Sequence, residues 1–163
     1  MDNNERSRVW LGVAGLVENE LGEWLVVMKR YGGLDGKWSL PAGFVKPGET
    51  VDEACQRELK EETNVHASMQ GFLGFRTGVL QYDISDNLAV FYLTAHTAEQ
   101  NLKAQLDELY EVRWMSPEEL GQDDRTSLMI LELLDLKLQA KPIKLDELED
   151  DNVFGYTAYK LFF

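Results

Sequence analysis

The sequence is short of the residues that would cross-link it or hold it in a bilayer. Its single cysteine, Cys55, allows no intrachain disulfide, so an oxidising compartment offers it nothing and a reducing, cytoplasmic setting is expected. The two histidines, His66 and His96, stand apart from any partner at zinc-ligand spacing, and no zinc centre is expected. No run approaches the roughly eighteen apolar residues of a membrane-spanning helix. The polar, acidic opening MDNNERSR and the glycine-interrupted run after it do not resemble a signal peptide. Positive charge is scarce: 16 Lys and Arg against 29 Asp and Glu leave a formal net charge of −13. That balance argues against DNA and anionic membranes as partners. What remains is an ordinary globular composition, 44% hydrophobic and 28% charged, in 163 residues, a length that closes one core of typical size.

Short apolar, β-branched runs at 9–16 (VWLGVAGL) and 23–29 (EWLVVMK) flank the polar stretch ENELG and predict a hairpin. Tyr31 to Lys37, with Gly32, Gly33 and Gly36, predicts a loop. Further strands are expected at 71–82 and 87–97, joined by a DISDN turn, and at 110–115. Ser116-Pro117 signals a helix start. Residues 125–139 predict a packed helix through Leu128, Ile130, Leu131, Leu134 and Leu138. From residue 141 an acidic run, LDELEDD, precedes an aromatic finish, VFGYTAYKLFF. The chain is therefore divided into a domain over 1–140 and an arm over 141–163, docked on that domain or on a second copy in a homodimer.

The stretch that carries chemistry runs from Gly43 to Val65. Thr50 and Glu53 form a capping-box pattern, so a helix should run from Thr50 to about Thr63, with Asn64 in the left-handed conformation that ends it. On such a helix Glu58, Glu61 and Glu62 fall three and four apart and share one surface. Like charges at that spacing cost about 0.2–0.5 kcal/mol per pair, and a divalent cation relieves the conflict. Hard Mg²⁺, with Mn²⁺ as its substitute, takes oxygen ligands and completes its shell with water and phosphate, which predicts a phosphate-bearing substrate. A solvated acidic helix face is the competing reading of ELKEE alone.

The wider pattern separates the two. Gly43, five residues, Glu49, seven residues, Arg57-Glu58-Leu59-Lys60-Glu61-Glu62 and then Val65 resembles the Nudix box of the Nudix hydrolases, and Trp38 to Gly43 is similar to the usual lead-in. Two positions depart from the family pattern: Asn64 stands for a glycine, and Ala42 for a second glycine whose contribution is a backbone carbonyl. The resemblance implies an α/β fold, a Nudix α/β/α sandwich with a mixed β-sheet and the box as a loop and helix. It implies Mg²⁺-dependent hydrolysis of a pyrophosphate bond in a nucleoside diphosphate linked to another moiety. Glu58, Glu61 and Glu62 would hold metal or, in one of these roles, activate water, with the Ala42 carbonyl completing the shell. Arg57 would pair with Glu49, and Gly43 would shape the loop.

The family also implies a further acidic residue downstream. Glu99, Asp107, Glu108 and Glu111 are candidates, and Glu108, just before the strand YEVRWM, is preferred. Lys29, Arg30 and Lys37 are expected as phosphate contacts. Tyr82, about seventeen residues past the box, resembles a tyrosine of diadenosine polyphosphate hydrolases and is a candidate substrate contact. Cys55 is expected as a packed hydrophobe. Relief of repulsion predicts that Glu62→Gln abolishes turnover while raising metal-free stability. Two other functions are weighed against a small-nucleotide hydrolase: a catalytically silent nucleotide-sensing domain, and removal of the RNA 5′ pyrophosphate, which the charge of −13 disfavours.

Overall fold

The computed structural model describes residues 7–136, 142–147 and 157–162. Strand β1 (Val9–Glu18) is buried on both faces from Gly12 to Val17, and a strand apolar on both faces belongs inside a sheet. It has partners on both edges. Strand β6 (Ile84–Thr94) runs parallel to it from Val9↔Ser85 to Glu18↔Thr94, and β5 (Ser68–Leu80) lies antiparallel outside β6. On the other edge β4 (Ala42–Phe44) pairs with Gly12 to Ala14. Strand β2 (Trp24–Lys29) meets β1 at Glu18↔Trp24 and then turns to β3 (Trp38–Ser39) and β7 (Leu109–Met115). The expected 9–16/23–29 hairpin thus opens at its base, because β4 takes the edge of β1 that a hairpin partner would occupy. These strands form one seven-stranded mixed sheet.

Side-chain alternation sends Val13 and Val17 of β1 to one face and Ala14 and Leu16 to the other. Helix α1 (Val51–Thr63) covers the first, packing Ala54, Cys55 and Leu59 against Val13, Val17, Leu25, Phe91 and Leu93. The second face receives helices α2 (Pro117–Gln122) and α3 (Leu128–Leu136), whose Leu120, Ile130 and Leu133 pack on Leu16, Trp24, Val26 and Trp38. The result is the expected α/β/α sandwich, with the box helix on one side. Among the described residues no helix is long and apolar enough to cross a membrane.

Several local expectations are corrected. Helix α3 begins at Leu128 rather than Arg125, because residues 125–127 bond to β3: Trp38 N–H donates to the Arg125 carbonyl and Ser127 N–H to the Trp38 carbonyl. That start sets Ile130 and Leu133 inward and leaves Leu128 exposed. Residues 137–139 of the expected helix lie outside the described residues, as does the expected boundary at 140/141. The hairpin turn sits at 81–83, where Tyr82 and Asp83 adopt φ 67° and 58°; residues 84–87 of the expected turn belong to β6. Beyond the sandwich, β8 (Leu145–Glu147) pairs with β9 (Lys160–Phe162). The Phe162 ring lies 6.0 Å from Phe72 and 5.4 Å from Phe91, and Lys160 Nζ lies 2.9 Å from Asp52.

Candidate functional site

The loop from Gly43 to Glu49 enters α1 through a turn at Lys46–Gly48, where Gly48 takes φ 85° and Lys46 N–H donates to Glu49 Oε1 at 2.6 Å. Thr50 caps the helix, its N–H donating to Glu53 Oε2 at 2.9 Å. The helix ends at Asn64, φ 63°, so asparagine supplies the left-handed geometry for which the family uses glycine. Between these caps the helix presents Arg57, Glu58, Glu61 and Glu62.

Arg57 ties helix to loop. Its Nε and Nη2 grip the two Glu49 oxygens at 2.9 and 2.6 Å, and Nη2 also donates to the Phe44 carbonyl at 2.9 Å. Its Nη1 reaches Glu58 Oε1 at 2.6 Å and Glu61 Oε2 at 3.1 Å. The Arg57 guanidinium holds the Glu49 carboxyl down at about 2. Glu58 lies directly over Gly43: a Cβ on residue 43 would collide with its carboxylate, so the glycine is a steric requirement of this carboxylate's position.

Glu62 is the most enclosed of the group, with no exposed surface. Its Oε1 accepts from Lys29 Nζ at 2.8 Å and its Oε2 from Ala42 N–H at 3.0 Å. Burial pushes its carboxyl above the usual carboxylate range, with Lys29 and the Ala42 N–H opposing and Glu58 adding to the rise. The expectation that Lys29 contacts phosphate is therefore corrected. Lys29 is 6% exposed because β-alternation turns it inward toward α1, where it compensates Glu62.

The loop that carries Glu108, the preferred downstream candidate, is attached through its backbone. Lys103 N–H donates to the Thr63 carbonyl at 3.0 Å and Gln105 N–H to the Glu62 carbonyl at 3.2 Å, so this loop caps the C-terminal end of α1. Glu108 follows, its carbonyl accepting from Arg30 N–H at 3.0 Å. Tyr31, expected only as the start of the glycine-rich loop, lies here with its hydroxyl 3.5 Å from Glu108 Oε2. Burial, first, and the charges of Glu108, Glu62 and Glu58 push its phenol up. Its only sequence signal was its place at the mouth of the glycine-rich loop.

The other expected substrate contacts are engaged elsewhere. Arg30 donates to the Leu106 carbonyl at 2.9 Å and lies 4.8 Å over the Tyr110 ring, bracing the Glu108 loop. Lys37 Nζ sits 3.4 Å from the Asp124 carbonyl. Tyr82 is at the β5–β6 hairpin tip, 84% exposed, and the structure does not bring it to the box. Lys46, 3.7 Å from Glu61 and largely exposed, is the cation beside the acidic cluster that the sequence reading passed over.

An all-oxygen set of Glu58, Glu61, Glu62 and the Ala42 carbonyl suits a hard divalent ion. The closeness of Glu58 to Gly43 and of Glu62 to Ala42 N–H gathers these donors at one loop–helix junction. Among the described residues no three acidic, His or Cys side chains already form a ligand shell, and Arg57 Nη1 bonds to both Glu58 and Glu61. By their chemistry, hard oxygen donors only, these residues fit such an ion.

Comparison with known proteins gives a consistent result. The family model described as "NUDIX domain" matches residues 9–134. Nudix hydrolase 5 of Arabidopsis thaliana is 33% identical over 113 residues, covering 67% of this chain and 37% of that protein. Nudix hydrolase 2 of the same plant is 35% identical over 112 residues, covering 67% and 40%. The chain thus spans about two fifths of the length of these curated relatives. Among solved structures, the MutT protein of Methanosarcina mazei Go1 superposes with a TM-score of 0.64 at 24% identity, covering 80% of this chain and 96% of that one; this likeness concerns the fold.

Proposed function

Because the chain belongs to the Nudix family, we propose that it hydrolyses a phosphoric anhydride bond in a nucleoside diphosphate linked to another moiety, using Mg²⁺ or Mn²⁺. The observation that carries this reading is the Glu58 carboxylate seated on Gly43 within a loop and helix that Arg57 braces. Glu58, Glu61, Glu62 and the Ala42 carbonyl would hold the ion. Such an ion would supply positive charge to a phosphoryl oxygen and acidify the attacking water. Arg57 fixes the spacing of Glu49, Glu58 and Glu61. Glu108, carried by the loop whose backbone caps α1, would orient or deprotonate the attacking water. Lys46 is the exposed cation available to a substrate phosphate. We take residues 1–140 as the Nudix domain and 141–163 as its arm, supported by the packing of Phe162 on Phe72 and Phe91.

The reading favours a small nucleotide. A net charge of −13 gives an RNA body no general attraction, and Tyr82 lends a diadenosine polyphosphate preference no support from the hairpin tip. The test is product analysis on nucleoside triphosphates including oxidised ones, diadenosine polyphosphates, nucleotide sugars and ADP-ribose, with and without Mg²⁺. Metal-dependent release of a nucleoside monophosphate or diphosphate from one class is expected. Thermal stabilisation by these compounds without cleavage under Mg²⁺ or Mn²⁺ would replace this reading with a nucleotide-sensing domain.

A further inference from the structure

We propose that Lys29 is a positioning residue that fixes the orientation of Glu62 and thereby sets the affinity of the box for its divalent ion. The inference rests on the metal-dependent reading above. Lysine is almost never this deeply buried unless paired, and Lys29 is 6% exposed with Nζ 2.8 Å from Glu62 Oε1. The second oxygen of Glu62 is taken by Ala42 N–H at 3.0 Å. A carboxylate held at both ends cannot rotate freely, so its remaining lone pairs keep fixed directions.

Lys29 is itself held rigidly. Its N–H donates to the Lys37 carbonyl at 3.3 Å and its carbonyl accepts from Gly36 N–H at 2.9 Å. The pairing of β2 with β7 shifts at this point, Met28 facing Glu111 and Lys29 facing Leu109. Tyr110 is the extra residue, so the bulge lies in β7, opposite Lys29. Residue 29 therefore joins α1 through Glu62, the box loop through Glu62 and Ala42, and the strand that Glu108 precedes. No other cation described here serves Glu62: Arg57 is spent on Glu49, Glu58 and Glu61, and Arg30 and Lys37 bond to backbone carbonyls.

The experiment is a Mn²⁺ titration followed by electron paramagnetic resonance on the full chain, for wild type, Lys29→Met, Lys29→Gln and Lys29→Arg, with kinetics at saturating metal. Loss of a partner that orients a metal ligand costs about 10–100-fold in metal affinity, so Lys29→Met is expected to bind Mn²⁺ at least about tenfold more weakly. Its kcat should fall with the substrate KM unchanged. Lys29→Arg should recover most of both, since a guanidinium restores charge and donors. If Lys29→Met does not fold, Lys29→Gln, which keeps a donor but no charge, is held to the same expectation. A folded neutral variant that binds Mn²⁺ as tightly as wild type, or more tightly through loss of a positive charge, overturns the role of Lys29. A wild-type protein that binds no Mn²⁺ overturns the metal reading, and this inference with it.

Discussion

Replacing Gly43 by alanine is the sharpest test of the site, because a single methyl group meets one specific atom set. Built on the present backbone, the new Cβ falls onto the carboxylate of Glu58, inside the 3.0 Å limit that real Cβ contacts respect. The carboxylate must retreat by about 1 Å, and a displacement of that size in a catalytic group can cost about 10²-fold. Glu58 cannot withdraw alone, since Oε1 is bonded to Arg57 Nη1 at 2.6 Å and Arg57 also holds Glu49 and the Phe44 carbonyl. The structural cost is modest by comparison, because the displaced group is the end of a flexible side chain. Overpacking at its lower bound is about 1 kcal/mol, or about 2–4 °C in Tm for a chain of this length. Gly43→Ala should therefore lose about 10²-fold in kcat/KM, about 2.7 kcal/mol of transition-state stabilisation, while melting within a few degrees of wild type. Ala42→Gly, where the expected contribution is a carbonyl, should retain turnover. Wild-type turnover by Gly43→Ala would show that the position of Glu58 is irrelevant to the chemistry.

Other expectations follow from the same geometry. Glu62→Gln should abolish most turnover and, contrary to the repulsion argument from sequence, lower metal-free stability. It strands the buried Lys29 charge, a loss of about 3–5 kcal/mol in buried pairs, measurable by urea denaturation. The Cys55 thiol is pushed up to about 12, chiefly by burial, so a thiol reagent at pH 8 should leave native protein unlabelled and modify one group after denaturation; fast native labelling would contradict its packing. Glu49 is held down at about 2 by Arg57, so its contribution is full above its ordinary value near 4.5. It should disappear as pH falls from there through about 2. In acid titrations followed by circular dichroism, Glu49→Gln should flatten the loss of stability in that window, and an unchanged curve would deny the clamp.

The helix of the box was legible because its signals are local. Thr50 with Glu53 marks the start, Asn64 the end, and the glutamate spacing the shared face; each is a matter of neighbours within one turn. The same holds for Gly43, Glu49 and Arg57, whose spacing carried the resemblance. What stayed hidden depends on residues far apart in the chain. Lys29 reads as an exposed strand-end cation, and its burial against Glu62 appears once β2 and α1 are packed. Arg30 and Lys37 looked available for phosphate for the same reason. Tyr31 carried no motif, and Tyr82 was chosen by offset along the chain, which says nothing about which end of a hairpin a residue occupies. Strands β3 and β4 are two and three residues long, too short for any periodicity.

The parallel alignment of β1 with β6 has a kinetic side. Partners in that ladder, Val9 with Ser85 through Glu18 with Thr94, lie 76 positions apart along the chain, and pairings of such long reach slow the search for the folded state. During synthesis the first strand emerges long before its main neighbour, and the capped helix between them can form within microseconds. The edge of Gly12–Val17 that β6 covers must therefore wait for its partners until residues 88–93 have left the ribosome. Refolding from denaturant should accordingly be limited by closure of this ladder, with the helical signal recovered earlier than the burial of Trp24.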